Sequence, residues 1–239
     1  MIESTFSGKR IAVTRPRAQA KELQRAIEER GAQCVIVPLI EITQPDDEGF
    51  VFEQAMRNIH EYEWVVCTSA NGALRVAPYL STGATCPKLA AVGDATALAF
   101  ARVVDFVPSS ANGKSLAEQL PMSSGKVLVV QAQETSGEVV RILRDRNMRA
   151  DDVAAYKTEH CLLTDLQVDE IRSADAVLVA SGSAVRSWCT QAGPRVSGKV
   201  VAIGEPTQRV AAECGMTISA VAREASTAGV VDALAGVFA

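Results

Sequence analysis

Histidine is nearly missing from this 239-residue chain, which has only two, His60 and His160. A histidine-based metal site or a Ser-His-Asp triad therefore has little raw material. The six cysteines (34, 67, 86, 161, 189 and 214) lie far apart and never form Cys-x-x-Cys. They read as reduced, small core residues of a cytosolic protein. No apolar stretch approaches the roughly 20 residues of a membrane span. The opening MIESTFSGKR lacks the apolar core of a signal peptide. These absences predict a cytoplasmic protein with no membrane partner. Basic runs are also missing and the net charge is −4, which argues against nucleic acid as a partner. A locally positive cleft for an anionic small molecule remains compatible with that total.

What the chain has is a soluble globular balance, 48% apolar and 22% charged, and enough length for one large domain or two ordinary ones. It also says the same thing twice. WVVCTSANGALRV is followed by KLAAVGDATA, and AVLVASGSAVRSW by KVVAIGEPTQRVA. In each copy an apolar run ends in a serine (Ser69, Ser181) and opens into a helical stretch. A second apolar run then ends in Gly-x-x-Thr, Gly93 with Thr96 and Gly204 with Thr207. The repeat divides the sequence into halves, 8–123 and 125–239, each alternating short apolar strands with helices. That alternation predicts an α/β fold with parallel sheets covered on both faces. CVIVPLIEIT (34–43) reads as one extended run, QPDDEG (44–49) as a loop, and ADDVAAYKT as the extended counterpart of CVIVPLIEIT. Trp64 and Trp188 read as packing residues.

In α/β sheets, ligands lie beyond the carboxyl ends of strands, where helix N-termini expose backbone N–H groups. Thr68, Ser69, Asn71 and Gly72 fall at such an exit, as do Ser181 and Ser183 in the second copy. Their bland role is helix capping; the duplication of small hydroxyl residues at both exits favours a ligand as well. Gly93 and Gly204 remove a Cβ that would hold a ligand off the backbone, and Thr96 and Thr207 occupy the first helical turns. Neither pattern matches a dinucleotide-binding or P-loop glycine motif. Arg15, in VTRP (13–16), is placed to fork a carboxylate at the exit of the first strand. Tyr156 has two readings, a packing ring or a functional hydroxyl.

Taken together, VTRP (13–16), WVVCTSxNG (64–72), AAVGxxTA (90–97), Tyr156-Lys157-Thr158, SxSAVR (181–186) and AIGxxT (202–207) resemble the uroporphyrinogen-III synthase family, in order along nearly the whole chain. The resemblance implies two Rossmann-like or flavodoxin-like domains. Residues 1–37 and 159–239 would form a discontinuous one and 42–155 the other, joined by a two-stranded connector at 38–42 and 155–159. It implies a monomer that needs no metal or organic cofactor and acts on the polycarboxylate hydroxymethylbilane. The terminal hydroxyl is lost, ring D inverts through a spiro intermediate, and the macrocycle closes as uroporphyrinogen III. The active site would lie in the cleft between the domains. Tyr156 matches the family tyrosine that protonates or orients the leaving hydroxyl. Arg15, Thr68, Ser69, Asn71, Gly93, Thr96, Gln131, Ser181, Ser183, Gly204 and Thr207 would bind substrate. One departure stands out. The family usually carries Arg-Gly and then another arginine after the KVLVV strand, where this chain has Gln131-Ala132 and Ser136. A relative that binds a tetrapyrrole or another anion without turnover is the alternative.

Overall fold

The computed structural model describes residues 5–80 and 86–239; the first four residues of the opening segment lie outside them. The chain begins with β1 (Arg10–Val13), α1 (Arg17–Glu28), β2 (Gln33–Ile36), β3 (Ile40–Thr43), α2 (Phe50–Arg57), β4 (Tyr62–Cys67) and α3 (Ala70–Val76). It continues through β5 (Lys88–Ala91), α4 (Asp94–Ala99), α5 (Gly113–Gln119), β6 (Lys126–Ala132), α6 (Glu138–Asp145) and β7 (Arg149–His160). It closes with α7 (Asp165–Arg172), β8 (Ala176–Val179), α8 (Gly182–Ala192), β9 (Lys199–Ala202), α9 (Glu205–Glu213), β10 (Ala220–Val221) and α10 (Thr227–Phe238).

These elements form two compact units, one made of the chain as far as Glu41 together with Glu159–Ala239, the other of Ile42–Thr158. The first unit holds a sheet of order β10-β9-β8-β1-β2, parallel throughout. The second sheet has the order β3-β7-β6-β4-β5, parallel from β7 to β5. In the first, β1 lies beside β8; in the second, β6 lies beside β4. Each sheet thus joins the opening strands of one sequence half to the closing strands of the other.

Strands buried on both faces explain the unbroken apolar runs. In the second unit, Val65, Cys67, Leu128 and Val130 pack on one face with Phe52 and Met56 of α2. Their neighbours Trp64, Val66, Val127 and Val129 pack on the other with Leu116 and Leu143. In the first unit, Ile11, Val13 and Leu178 face α1 and α10, and Ala12, Val177 and Val179 face Trp188. Both tryptophans are buried, as their setting in the sequence predicts.

The extended run 34–43 divides between two strands: β2 and β3 belong to different sheets, separated by Val37-Pro38-Leu39. Pro38 has no N–H to extend a ladder, and the chain leaves the first sheet there. The segment DFVPSS (105–110) forms only a single parallel bridge, Phe106 to Ala90.

Candidate functional site

The two serines do the same local work. Ser69 (φ −158°, ψ 156°) and Ser181 (φ −163°, ψ 156°) both cap the helix that follows their strand. The Gly72 amide donates to Ser69 Oγ at 3.1 Å and the Ala184 amide to Ser181 Oγ at 3.1 Å. At the neighbouring exits, Gly93 and Gly204 precede α4 and α9 with fully extended backbones. Their carbonyls accept the amides of Thr96 at 3.0 Å and Thr207 at 3.1 Å. Both threonines are nearly buried. Ser183 is exposed and Asn71 half-buried, in the first turns of α8 and α3 respectively. The repeat seen in the sequence is therefore a repeat of strand-exit geometry.

The glycines differ in what they answer to. A Cβ on Gly93 would stand 2.9 Å from Ala111 Cβ, so packing within the unit already requires that glycine. A Cβ on Gly204 would meet nothing closer than Pro206 Cδ at 3.7 Å, ordinary contact. Gly182 is a packing residue as well, since a Cβ there would lie 2.7 Å from Val210 Cγ2 on α9.

What breaks the symmetry is Tyr156. Its hydroxyl donates to Ser69 Oγ at 2.9 Å, and Asn71 also hydrogen-bonds it. The ring is buried, at 6% exposure. A β-bulge puts it there. Gln131 pairs with Ala154, but the next residue, Ala132, pairs with Tyr156, leaving Ala155 extra. Strict alternation would send Ala155 and Tyr156 to opposite faces, yet both pack with Val153 in one cluster. The bulge has re-aimed the tyrosine toward α3. Burial raises its pKa above the ordinary phenol value, opposed by the hydrogen bonds it shares with Ser69 and Asn71. The phenol is thus a neutral hydrogen-bond donor across the neutral pH range.

Register also relates Gln131 to Arg15. Val13 pairs with Leu178, three residues before Ser181, and Val129 pairs with Val66, three before Ser69. Two residues further on, Gln131 therefore occupies in the second unit the place of Arg15 in the first. Arg15 lies against Leu23, Leu178, Val179 and Val230, with no side-chain hydrogen bond or ion pair among the described residues. Burial lowers its pKa and Glu22 opposes the shift. Gln131, expected from the resemblance to bind substrate, is placed differently. It is 3% exposed and its amide donates to Asp152 Oδ1 at 2.7 Å, so it is committed inside its own unit.

Two residues that the sequence did not single out, Asp46 and Gln133, lie beside Tyr156. Gln133, Asp46 and Lys157 form a hydrogen-bonded set beside Tyr156. Asp46 belongs to the segment read only as a loop, and no local signal ties it to Gln133, 87 positions away. A broad concavity of about 770 Å³ opens elsewhere, at the amino ends of β8 and β9, lined by Lys9, Asp175, Arg195 and Lys199 among others. It contains none of the residues singled out from the sequence. Among the described residues, no group of three or more His, Cys, Asp or Glu is arranged to hold a metal ion, and no helix is long and apolar enough to cross a membrane.

Comparison with known proteins bears on the whole chain. A protein of Ruminiclostridium josui named porphyrin biosynthesis protein HemD is 33% identical over 171 residues, 66% of this chain and 34% of that protein. The chain thus matches about a third of that relative's length. The chloroplastic uroporphyrinogen-III synthase of Oryza sativa subsp. japonica is 28% identical over 223 residues, 86% of this chain and 73% of its own. Among solved structures, a mutant uroporphyrinogen III synthase of Thermus thermophilus superposes with a TM-score of 0.66 at 14% identity, covering 95% of this chain and 97% of its own. The enzyme of Helicobacter pylori 26695 gives 0.60 at 13%, covering 96% and 99%. These two show a shared two-domain α/β fold. The family model described as uroporphyrinogen-III synthase HemD matches residues 21–232, a span that takes in Ser69, Tyr156, Ser181 and both Gly-x-x-Thr turns, and on that match this chain belongs to the uroporphyrinogen-III synthase family.

Proposed function

We propose that this protein converts linear hydroxymethylbilane to uroporphyrinogen III, eliminating water and inverting ring D. The observation that carries the reading is the hydrogen bond from the buried Tyr156 hydroxyl to Ser69 at a strand exit. Ser69 Oγ already accepts from Gly72 and Tyr156, so its own proton is the one left to donate outward. Tyr156, Ser69 and Asn71 together supply a neutral proton-donating group suited to a leaving hydroxyl. A phenol of raised pKa is a weak acid, but a hydroxymethylpyrrole ionises readily. The protein's larger task is then to fix the folded chain and suppress uninverted closure.

In this reading the residues that hold substrate carboxylates are Arg15, Thr68, Ser69, Asn71, Gly93, Thr96, Ser181, Ser183, Gly204 and Thr207. Arg15, in no ion pair among the described residues, supplies the cationic fork. With Gln131 engaged by Asp152, the second unit relies on hydroxyl and amide donors. A monomeric state and a cytoplasmic setting belong to the same proposal.

The test is incubation with freshly prepared hydroxymethylbilane and separation of the isomers. The type III isomer is expected, faster than spontaneous closure. Type I alone, at the uncatalysed rate, overturns the synthase reading. Tight binding without isomer change would instead favour a non-catalytic tetrapyrrole-binding relative.

A further inference from the structure

The bulge that aims Tyr156 is pinned from both sides by one carboxylate. The Gln133 amide donates to the Tyr156 carbonyl at 2.7 Å, directly after the register shift. The Gln133 side chain is itself held twice by Asp46: Asp46 N–H donates to Oε1 at 2.7 Å, and Nε2 donates to Asp46 Oδ2 at 2.7 Å. The other Asp46 oxygen accepts from Lys157 Nζ at 2.9 Å. The residue that bonds the Tyr156 backbone and the residue that follows Tyr156 are thus both tied to Asp46.

Asp46 stands on a turn that is fixed independently. Asp47 accepts the amides of Gly49 and Val51, both at 2.9 Å, and so caps the start of α2. Gly49 takes φ +82°, a left-handed conformation that favours glycine. A bulge by itself leaves a residue unpaired and the ladder locally disrupted. The hydroxyl of a tyrosine on it keeps its distance to Ser69 only if something rigid holds the neighbouring backbone.

We propose that Asp46 and Gln133 are positioning residues that hold the β7 bulge and thereby set the Tyr156 hydroxyl against Ser69. The catalytic part of this inference rests on the synthase reading above. The placement of the ring does not. It also gives a use to the stretch in which the family's Arg-Gly is lost. Gln133 lies in that stretch and serves as half of the latch.

The test uses the full chain with Asp46→Ala, Gln133→Ala, Tyr156→Phe and the double variant Asp46→Ala/Tyr156→Phe. With hydroxymethylbilane, each latch variant is expected to lose roughly ten- to a hundredfold in kcat with little change in KM, and Asp46→Ala to cost nothing further once Tyr156 is phenylalanine. A latch effect that multiplies the Tyr156→Phe effect in full overturns the proposal. The second readout needs no activity: nuclear magnetic resonance of isotope-labelled tyrosine in the unliganded protein. The chain has three tyrosines, so the Tyr156 signal is the one lost in Tyr156→Phe. It is expected to shift in both latch variants while that of Tyr62 stays. An unmoved Tyr156 signal in folded latch variants overturns the proposal even if the wild type proves inactive. If Asp46→Ala does not fold, Gln133→Ala carries both readouts.

Discussion

Tyr156 and Ser69 share one hydrogen bond of 2.9 Å, made between a bulged strand and the cap of α3. The serine does two things at once, starting a helix and receiving a phenol. Its counterpart Ser181 does only the first among the described residues. The difference converts a structural repeat into a single chemically distinct position.

Replacing Tyr156 by phenylalanine removes the hydroxyl and keeps the ring in its cluster. Stability is expected to fall by only about 1 kcal/mol, the net worth of one hydrogen bond. The rate of type III formation is expected to fall by roughly 10²-fold or more, the range for a lost general acid. Because burial raises the wild-type phenol pKa, any loss of activity through its ionisation should begin only above the ordinary value of 10.0. Isomer-resolved kinetics beside a thermal melt distinguish the two roles. A rate loss no larger than the stability loss would reduce Tyr156 to packing.

The paired caps give an internal control. Ser181→Ala removes one cap and is expected to cost about 1 kcal/mol. Ser69→Ala removes the equivalent cap and also withdraws the acceptor of a buried phenol, leaving it only Asn71. Its expected cost is about 2 kcal/mol. Urea unfolding of the two variants side by side measures the difference. Equal losses would mean that the Tyr156 hydrogen bond contributes nothing to folding.

These contrasts also mark what was legible beforehand. Ser69, Ser181, Gly93 and Gly204 could be read because a cap or a turn is a local event, written within four residues of itself. The alternation of short strands and helices was readable for the same reason. The split of 34–43 between two sheets came only from the family resemblance, since Val35 and Ile42 carry the same β propensity whichever sheet they join. The bulge at Ala155 was invisible because it exists only relative to β6. The Gln131–Asp152 hydrogen bond could not be read either, because Asp152 stands 21 positions away, on a neighbouring strand that no periodicity identifies as its partner. Asp46 and Gln133 were hidden for that reason too.

Alkali should weaken the fold through Cys67. This thiol is fully buried and its pKa is raised by burial alone, whereas an unfolded thiol ionises near its ordinary value of 9.0. Below that value both states keep the proton and nothing is lost. Above it the unfolded chain sheds a proton that the folded one retains, so stability falls as pH rises toward the folded pKa, by about 1.4 kcal/mol per unit for a fully buried group. Cys34, pushed up to about 12 by burial and then by Glu28, adds a smaller effect because it is partly exposed. Chemical unfolding followed from about pH 8 to about pH 11 should show this decline, and Cys67→Ala should flatten it. An equally steep decline in that variant would place the effect on other groups.

Gly182 and Gly204 sit at neighbouring exits of the same sheet, yet alanine should separate them. At Gly182 the added methyl would lie 2.7 Å from Val210 Cγ2, so α8 and α9 must part or Val210 must turn. The expected loss is about 1–3 kcal/mol, largely restored by Val210→Ala in the same chain. At Gly204 the methyl would meet only Pro206 Cδ at 3.7 Å, and the backbone there is extended, so no strain arises. Gly204→Ala should therefore melt close to the wild type. If the glycine is needed for backbone approach to a substrate carboxylate, the same variant should raise KM several-fold with kcat nearly kept, the mark of lost uniform binding. Unchanged KM in Gly204→Ala would remove that turn from the binding surface and leave Arg15, Ser181 and Ser183 as that unit's contribution.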